Sequence, residues 1–189
     1  MQMKLDKWNI AIGDGVPLVV MAGLNVLEDE VLALEVCAEL KSICTDLGLP
    51  YIFKASFDKA NRSSVSSYRG PGQADGLAML TKVKATHNVP IVTDLHTPEQ
   101  AEPVAAIADV VQLPAFLVRQ TDLVVAAAEA VVRAEDGGRS GMASDKEKGG
   151  YRLQHTTRIK APMKVGRVTV YKYSRDIYPV SYTHLRAHE

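Results

Sequence analysis

"YIFKASFDKANRSSVSSYRGPG" spans residues 51–72. Its first seven residues are an apolar, strand-like run that carries Lys54 and Ser56 on one face, because alternate strand side chains point the same way. The remainder mixes cations, an amide and hydroxyls, with almost nothing that could build a core. A stretch of this kind directly after a strand suits a loop that holds a ligand. The reading of the chain therefore turns on whether its neighbours are strand–helix units too.

They are. Residues 18–134 alternate short apolar runs with longer amphipathic ones, the mark of βα units and a parallel sheet. Strands are predicted at 18–25, 51–57, 91–96 and 109–115, followed by helices at about 28–47, 73–86, a short segment after Thr97-Pro98, and 121–134. Glu28, Asp29 and Glu30 are expected in the first turn of the first helix, where its dipole favours anions, with Gly48 as its C-terminal cap. Val and Ile on both faces of the strands imply burial on both sides, as in α/β architectures.

Composition narrows the class. At 189 residues and 47% apolar content the chain can bury one sizeable core, and 22 cations against 22 anions leave no field to draw it onto nucleic acid or an anionic membrane. The charge is uneven: residues 1–134 carry net −5 and residues 135–189 net +5. The N-terminus has no apolar signal region, no run is long enough to cross a bilayer, and Cys37 and Cys44 fall on one side of a helix, about 10 Å apart in rise. Buried thiols and a cytoplasmic location are the expectation.

After residue 134 the alternation stops. EDGGRSGMASDKEKGG (135–150) is of linker type, and residues 135–189 hold five of the seven tyrosines and six of the ten arginines. VGRVTVYKYS (165–174) alternates as a strand would, but a lone strand has nothing to pair with, which argues against one there. This basic tail could serve as a nucleic-acid or partner-binding module, but it contains no aromatic-basic motif of known geometry.

In βα folds, ligands bind beyond the carboxyl ends of the strands. All four strands end in polar side chains: Asn25; Lys54 with Ser56; Asp94 with His96; and Gln112. Lys54, Lys59, Arg62 and Arg69, interleaved with Asn61, Ser63, Ser64, Ser66 and Ser67, make a cradle for more than one anionic group. Asp94 suits either a general base or a group that orients Lys54 or a substrate hydroxyl. His96 has no second metal-type ligand nearby in sequence and reads as a hydrogen-bonded strand-end histidine. Arg119 reaches either a ligand or a neighbouring subunit.

GLNVLE (23–28), YIFKASFDKANRSSVSSYRGPG (51–72), TDLHTP (93–98) and VVQLPAFLVRQTDL (110–123) resemble the 3-deoxy-D-manno-octulosonate 8-phosphate synthase family. The resemblance covers residues 10 to about 124 and implies a (β/α)8 barrel that condenses phosphoenolpyruvate with arabinose 5-phosphate for bacterial lipopolysaccharide. The sister synthase of the heptulosonate phosphate shares the fold but not the KASFDKANRSS string. The resemblance implies that Lys54 and Lys59 hold phosphoenolpyruvate, with Gln112 and the backbone around Ala115 and Phe116 close by. It assigns Asn61, Arg62 and Ser63 to the aldose phosphate, Arg119 to a neighbouring subunit's phosphate across the interface of a homotetramer, and Asp94 and His96 to the mouth. Asn25 stands where metal-dependent members carry cysteine, so no metal and no cofactor is implied.

Such a barrel needs roughly 250 residues, and the sequence offers four of its eight units. His155, His184 and His188 match no family motif, and VSYTHLRAHE (180–189) resembles translated adapter sequence. The reading is therefore a partial barrel in residues 1–134 joined to a frame-shifted or chimeric tail in 135–189. The expected outcome is that the purified 189-residue chain does not catalyse the condensation; phosphoenolpyruvate-dependent release of phosphate, assayed colorimetrically, would show that it does.

Overall fold

A buried sheet has two surfaces to satisfy, and here they are satisfied differently. The computed structural model describes residues 2–60, 62, 64–136, 163–165 and 168–170. Strands β3 (Val20–Leu24), β4 (Tyr51–Ala55), β5 (Ile91–Asp94) and β6 (Val110–Gln112) form one parallel sheet in the order β3-β4-β5-β6. Helices α1 (Glu30–Asp46), α2 (Gln73–His87) and α3 (Ala101–Ala105) connect them, and α4 (Thr121–Asp136) follows β6. Two shorter strands, β1 (Gln2–Leu5) and β2 (Ile10–Gly13), pair antiparallel ahead of the sheet. The four units are those the sequence predicts. Each strand falls inside its predicted range but is shorter.

Helix ends follow side-chain chemistry. Asp29 is not in the first turn of α1 but caps it from outside, its Oδ1 accepting from the Leu32 N–H at 2.9 Å. Gly48 follows the C-cap Leu47 with φ +67°, a left-handed conformation that glycine adopts without strain. Pro98 opens the turn after Thr97, and Gln100 Oε1 reaches back to the N–H groups of His96 (2.7 Å) and Thr97 (3.3 Å).

The helix-covered face carries the main core: Phe53, Ala55, Phe57, Ile91 and Leu95 meet Ala33 and Cys37 of α1, Leu80 and Val83 of α2, Val104 of α3, and Leu123 and Ala127 of α4. Both cysteines lie buried on α1, and burial pushes the Cys37 thiol up to about 11, so it stays protonated and unreactive near neutrality.

The other face is split along its length. Near the amino ends of the strands Ile52 and Val92 pack against Ile10, with Leu5, Trp8, Ile12, Val19 and Val110 alongside. The β1–β2 hairpin therefore floors this face. Nothing in the sequence reading anticipated it, because its four-residue strands are too short for a period to stand out and depend on tertiary contact. One carboxylate latches it. Asp109 Oδ1 accepts from Trp8 Nε1 at 2.7 Å, while its Oδ2 accepts from the Ile91 N–H and pairs with Lys84 Nζ, each at 2.9 Å.

In the tail, β7 (Met163–Val165) and β8 (Val168–Val170) pair antiparallel, so the doubt about a strand at 165–174 is corrected for Val165 and 168–170, which have a partner. Only two residues separate the strands, a common hairpin spacing. Residues 171–174 and most of the rest of 135–189 lie outside the described residues.

Asp109→Ala leaves a buried backbone N–H, an indole N–H and an ammonium without their acceptor. Urea denaturation is expected to register a loss of about 2–4 kcal/mol; a loss under about 0.5 kcal/mol, typical of a surface substitution, would contradict the latch.

Candidate active site

Beyond the hairpin floor, the same inner face ends in charge. Register pairs Gly23 with Lys54 and Asp94 with Gln112, so the polar strand ends stand side by side. A Cβ on Gly23 would lie 2.2 Å from the Lys54 carbonyl oxygen, so only glycine lets β3 approach β4 this closely next to the site.

At the centre, Lys54 Nζ and Lys59 Nζ both donate to Ser56 Oγ, at 2.8 and 2.9 Å. Lys54 Nζ also lies 3.5 Å from Asp94 Oδ1, and His96 Nε2 lies 3.4 Å from Asp94 Oδ2. These are ion-pair distances rather than tight hydrogen bonds, and neither ring nitrogen of the buried His96 makes one within the protein. Burial alone would push the Asp94 carboxyl up, but His96, Lys54, Ser56 and Lys59 together overcome it and hold the group well below the usual carboxylate range. Burial, and then the Lys54 charge, lowers the Lys59 ammonium from its ordinary value, with Asp94 opposing.

The loop after β4 rises from this cluster and returns to it. Its base is closed by the Lys59 N–H donating to the Arg69 carbonyl at 2.7 Å and by a forked pair from Arg69 to Asp58 at 2.6 and 2.9 Å. Arg69 is thus corrected from a cradle cation to a clamp, since its guanidinium is taken by a carboxylate of the same loop. The Arg62 guanidinium donates to the Val65 carbonyl at 3.1 Å and keeps its Nε unpartnered. Asn61 and Ser63 lie outside the described residues.

Of the other expected residues, Gln112 ends β6 with an exposed side chain, and Asn25 is exposed just past β3. Ala115, Phe116 and Arg119 sit exposed in the β6–α4 loop, with turns closed by Leu117 N–H to the Pro114 carbonyl and Gln120 N–H to the Leu117 carbonyl. The contacts bring Lys54, Lys59, Asp94 and His96 into one cluster; Gln112 neighbours it through its register with Asp94, and Ala115, Phe116 and Arg119 lie in the loop that follows. Ser56 is the member that sequence reasoning undervalued: alternation placed it on the Lys54 face, but only coordinates reveal that it receives two ammonium groups.

A parallel βα sheet whose mouth gathers two lysines around a serine and a buried aspartate suits capture of a small anion. Residues 1–133 match the profile of the DAHP synthetase I family. The chain belongs to the DAHP synthetase I family. Within it the chain is 59% identical over 121 residues to the 2-dehydro-3-deoxyphosphooctonate aldolase of Pseudomonas putida (strain GB-1), an overlap of 64% of this chain and 43% of that protein. The proteins of the same name from Synechococcus sp. (strain WH7803) and Prochlorococcus marinus (strain MIT 9313) are 56% and 55% identical over 120 residues, in each case 64% of this chain and 42% of theirs. The chain thus spans less than half the length of these relatives. Among the described residues no helix is long and apolar enough to cross a membrane.

A carboxylate with a folded pKa below its unfolded value stabilises the fold above the unfolded value, about 4, and that contribution is lost as pH falls through the folded one. Asp94→Asn is expected to cost about 3 kcal/mol near neutrality, because two ammonium groups lose their buried counter-charge. In urea denaturation the gap to the unsubstituted chain narrows as acid protonates Asp94; a gap independent of pH would contradict the ionised pair.

Proposed function

We propose that this chain carries the phosphoenolpyruvate-binding half of a synthase that condenses phosphoenolpyruvate with D-arabinose 5-phosphate, giving 3-deoxy-D-manno-octulosonate 8-phosphate and phosphate. The observation that carries the reading is the meeting of Lys54 and Lys59 on Ser56 Oγ beside the buried Asp94. Two ammonium groups beside one carboxylate leave a positive balance at the mouth, which an anionic ligand would relieve.

In this reading Lys54 and Lys59 grip phosphoenolpyruvate, with Gln112 and the backbone of Ala115 and Phe116 completing its pocket. Asn61, Arg62 and Ser63 take the aldose phosphate, and Asn25 lines the mouth at the place a metal-dependent relative would use. The enol carbon attacks the aldehyde, water adds at the adjacent carbon, and phosphate leaves. The lysines steady the charge that develops at that carbon. Asp94 keeps both ammonium groups oriented, and His96, beside Asp94 at the mouth, passes a proton to or from the water.

The reading favours a homotetramer, with Arg119 reaching a neighbour's aldose phosphate, and a cytoplasmic setting, which suits the two buried thiols. It also divides the chain near residue 134, consistent with a family match that stops at 133. The names of the similar proteins favour the octulosonate product over the heptulosonate one.

Calorimetric titration of phosphoenolpyruvate into the chain is expected to give saturable binding that Lys59→Met weakens by about 10- to 100-fold, with Arg62→Ala doing the same to arabinose 5-phosphate. Unsaturable heats with the unsubstituted chain, or unchanged affinities in both variants, would sink the reading. Turnover of erythrose 4-phosphate in preference to arabinose 5-phosphate by the longer enzyme would transfer it to the heptulosonate synthase.

A further inference from the structure

We propose that Ser56 is a positioning residue that spaces the Lys54 and Lys59 ammonium groups so that both close on a single anionic group of phosphoenolpyruvate. The inference rests on the phosphoenolpyruvate reading above and adds a residue to it. Ser56 has no exposed surface and accepts from both lysines, at 2.8 and 2.9 Å. A hydroxyl oxygen has two lone pairs, and here both are engaged. Only its own proton remains, and Ser56 helps to hold the Asp94 carboxyl down. With both lone pairs taken by the ammonium groups, Ser56 acts on an anion through its two lysine neighbours.

Its own position is fixed from the backbone. Residue 56 follows the last ladder residue of β4, and its carbonyl accepts from the Leu27 N–H at 2.9 Å, tying the strand end to the loop after β3. Lys54 reaches Ser56 from two residues before it and Lys59 from three residues after, so two like charges from opposite sides converge on one oxygen. Left to Coulomb repulsion the two flexible side chains would separate toward solvent. The hydroxyl holds them no farther apart than two hydrogen bonds end to end, close enough for the oxygens of one carboxylate or phosphoryl group to bridge them.

The test measures the coupling between the two lysines by NMR of side-chain ammonium groups in the 189-residue chain, with and without phosphoenolpyruvate. With Ser56 intact, Lys54→Met is expected to raise the Lys59 titration midpoint, because the Lys54 charge depresses it. After Ser56→Ala the same substitution is expected to move that midpoint by less than about half as much, and Ser56→Thr, which retains a hydroxyl, restores the coupling. Ser56→Ala is further expected to weaken phosphoenolpyruvate binding at least about tenfold while changing arabinose 5-phosphate affinity by less than about twofold. Undiminished coupling in Ser56→Ala overturns the proposal, and so does loss of coupling in both variants. A chain that never binds phosphoenolpyruvate counts against the functional reading, while the lysine coupling still decides the role of Ser56.

Discussion

The contact between Lys54 and Asp94 constrains everything around it. Asp94 loses several kcal/mol of hydration at its strand end, and Lys54 is one of the neighbours that keep it ionised there. Their meeting requires β4 and β5 to lie side by side in parallel at one register, which in turn requires a helix to carry the chain back between them. The βα architecture, the register and the glycine that lets β3 close against β4 are conditions for placing one cation 3.5 Å from one anion. The second lysine exploits the result, since Asp94 tolerates two ammonium groups where it would otherwise neutralise one.

The hairpin beneath the sheet belongs to the same electrostatics. Ile52 and Val92 stand two residues before Lys54 and Asp94 on the same face, and the hairpin covers them with Ile10 and its neighbours. Water is thereby kept from the underside of the charged cluster, and a poorly screened pair interacts more strongly. The Trp8–Asp109 bond, from residue 8 to the residue preceding β6, ties this floor to the sheet.

Much of this was legible in the sequence, and the failures have physical causes. Alternating strands and amphipathic helices announce themselves through periods of two and 3.6 residues, and polar residues stand out at the ends of apolar runs. Lys54, Asp94 and His96 were therefore visible as one site. Arg69 was misread because a count of cations cannot tell that Asp58, eleven positions away, folds back to meet it. Asp29 was placed one step too far inside its helix because capping and first-turn acids have the same composition. Ser56 looked like an ordinary neighbour of Lys54, since nothing in a hydroxyl's identity reveals how many donors will find it. The hairpin escaped because its order comes from a surface that forms only when distant strands assemble.

The clasp at the base of the β4–α2 loop separates two jobs along one segment. Below the Asp58–Arg69 fork, Lys59 is held by a backbone bond to the Arg69 carbonyl, whatever the chain does above. Above it, residues 64–67 form an exposed arc in which the Ser64 and Ser66 hydroxyls bond to each other. Insertions, deletions or exchanges in that arc therefore leave the two lysines at its base where they are. Such a loop lets a lineage vary its exposed segment without moving the charged cluster beneath it.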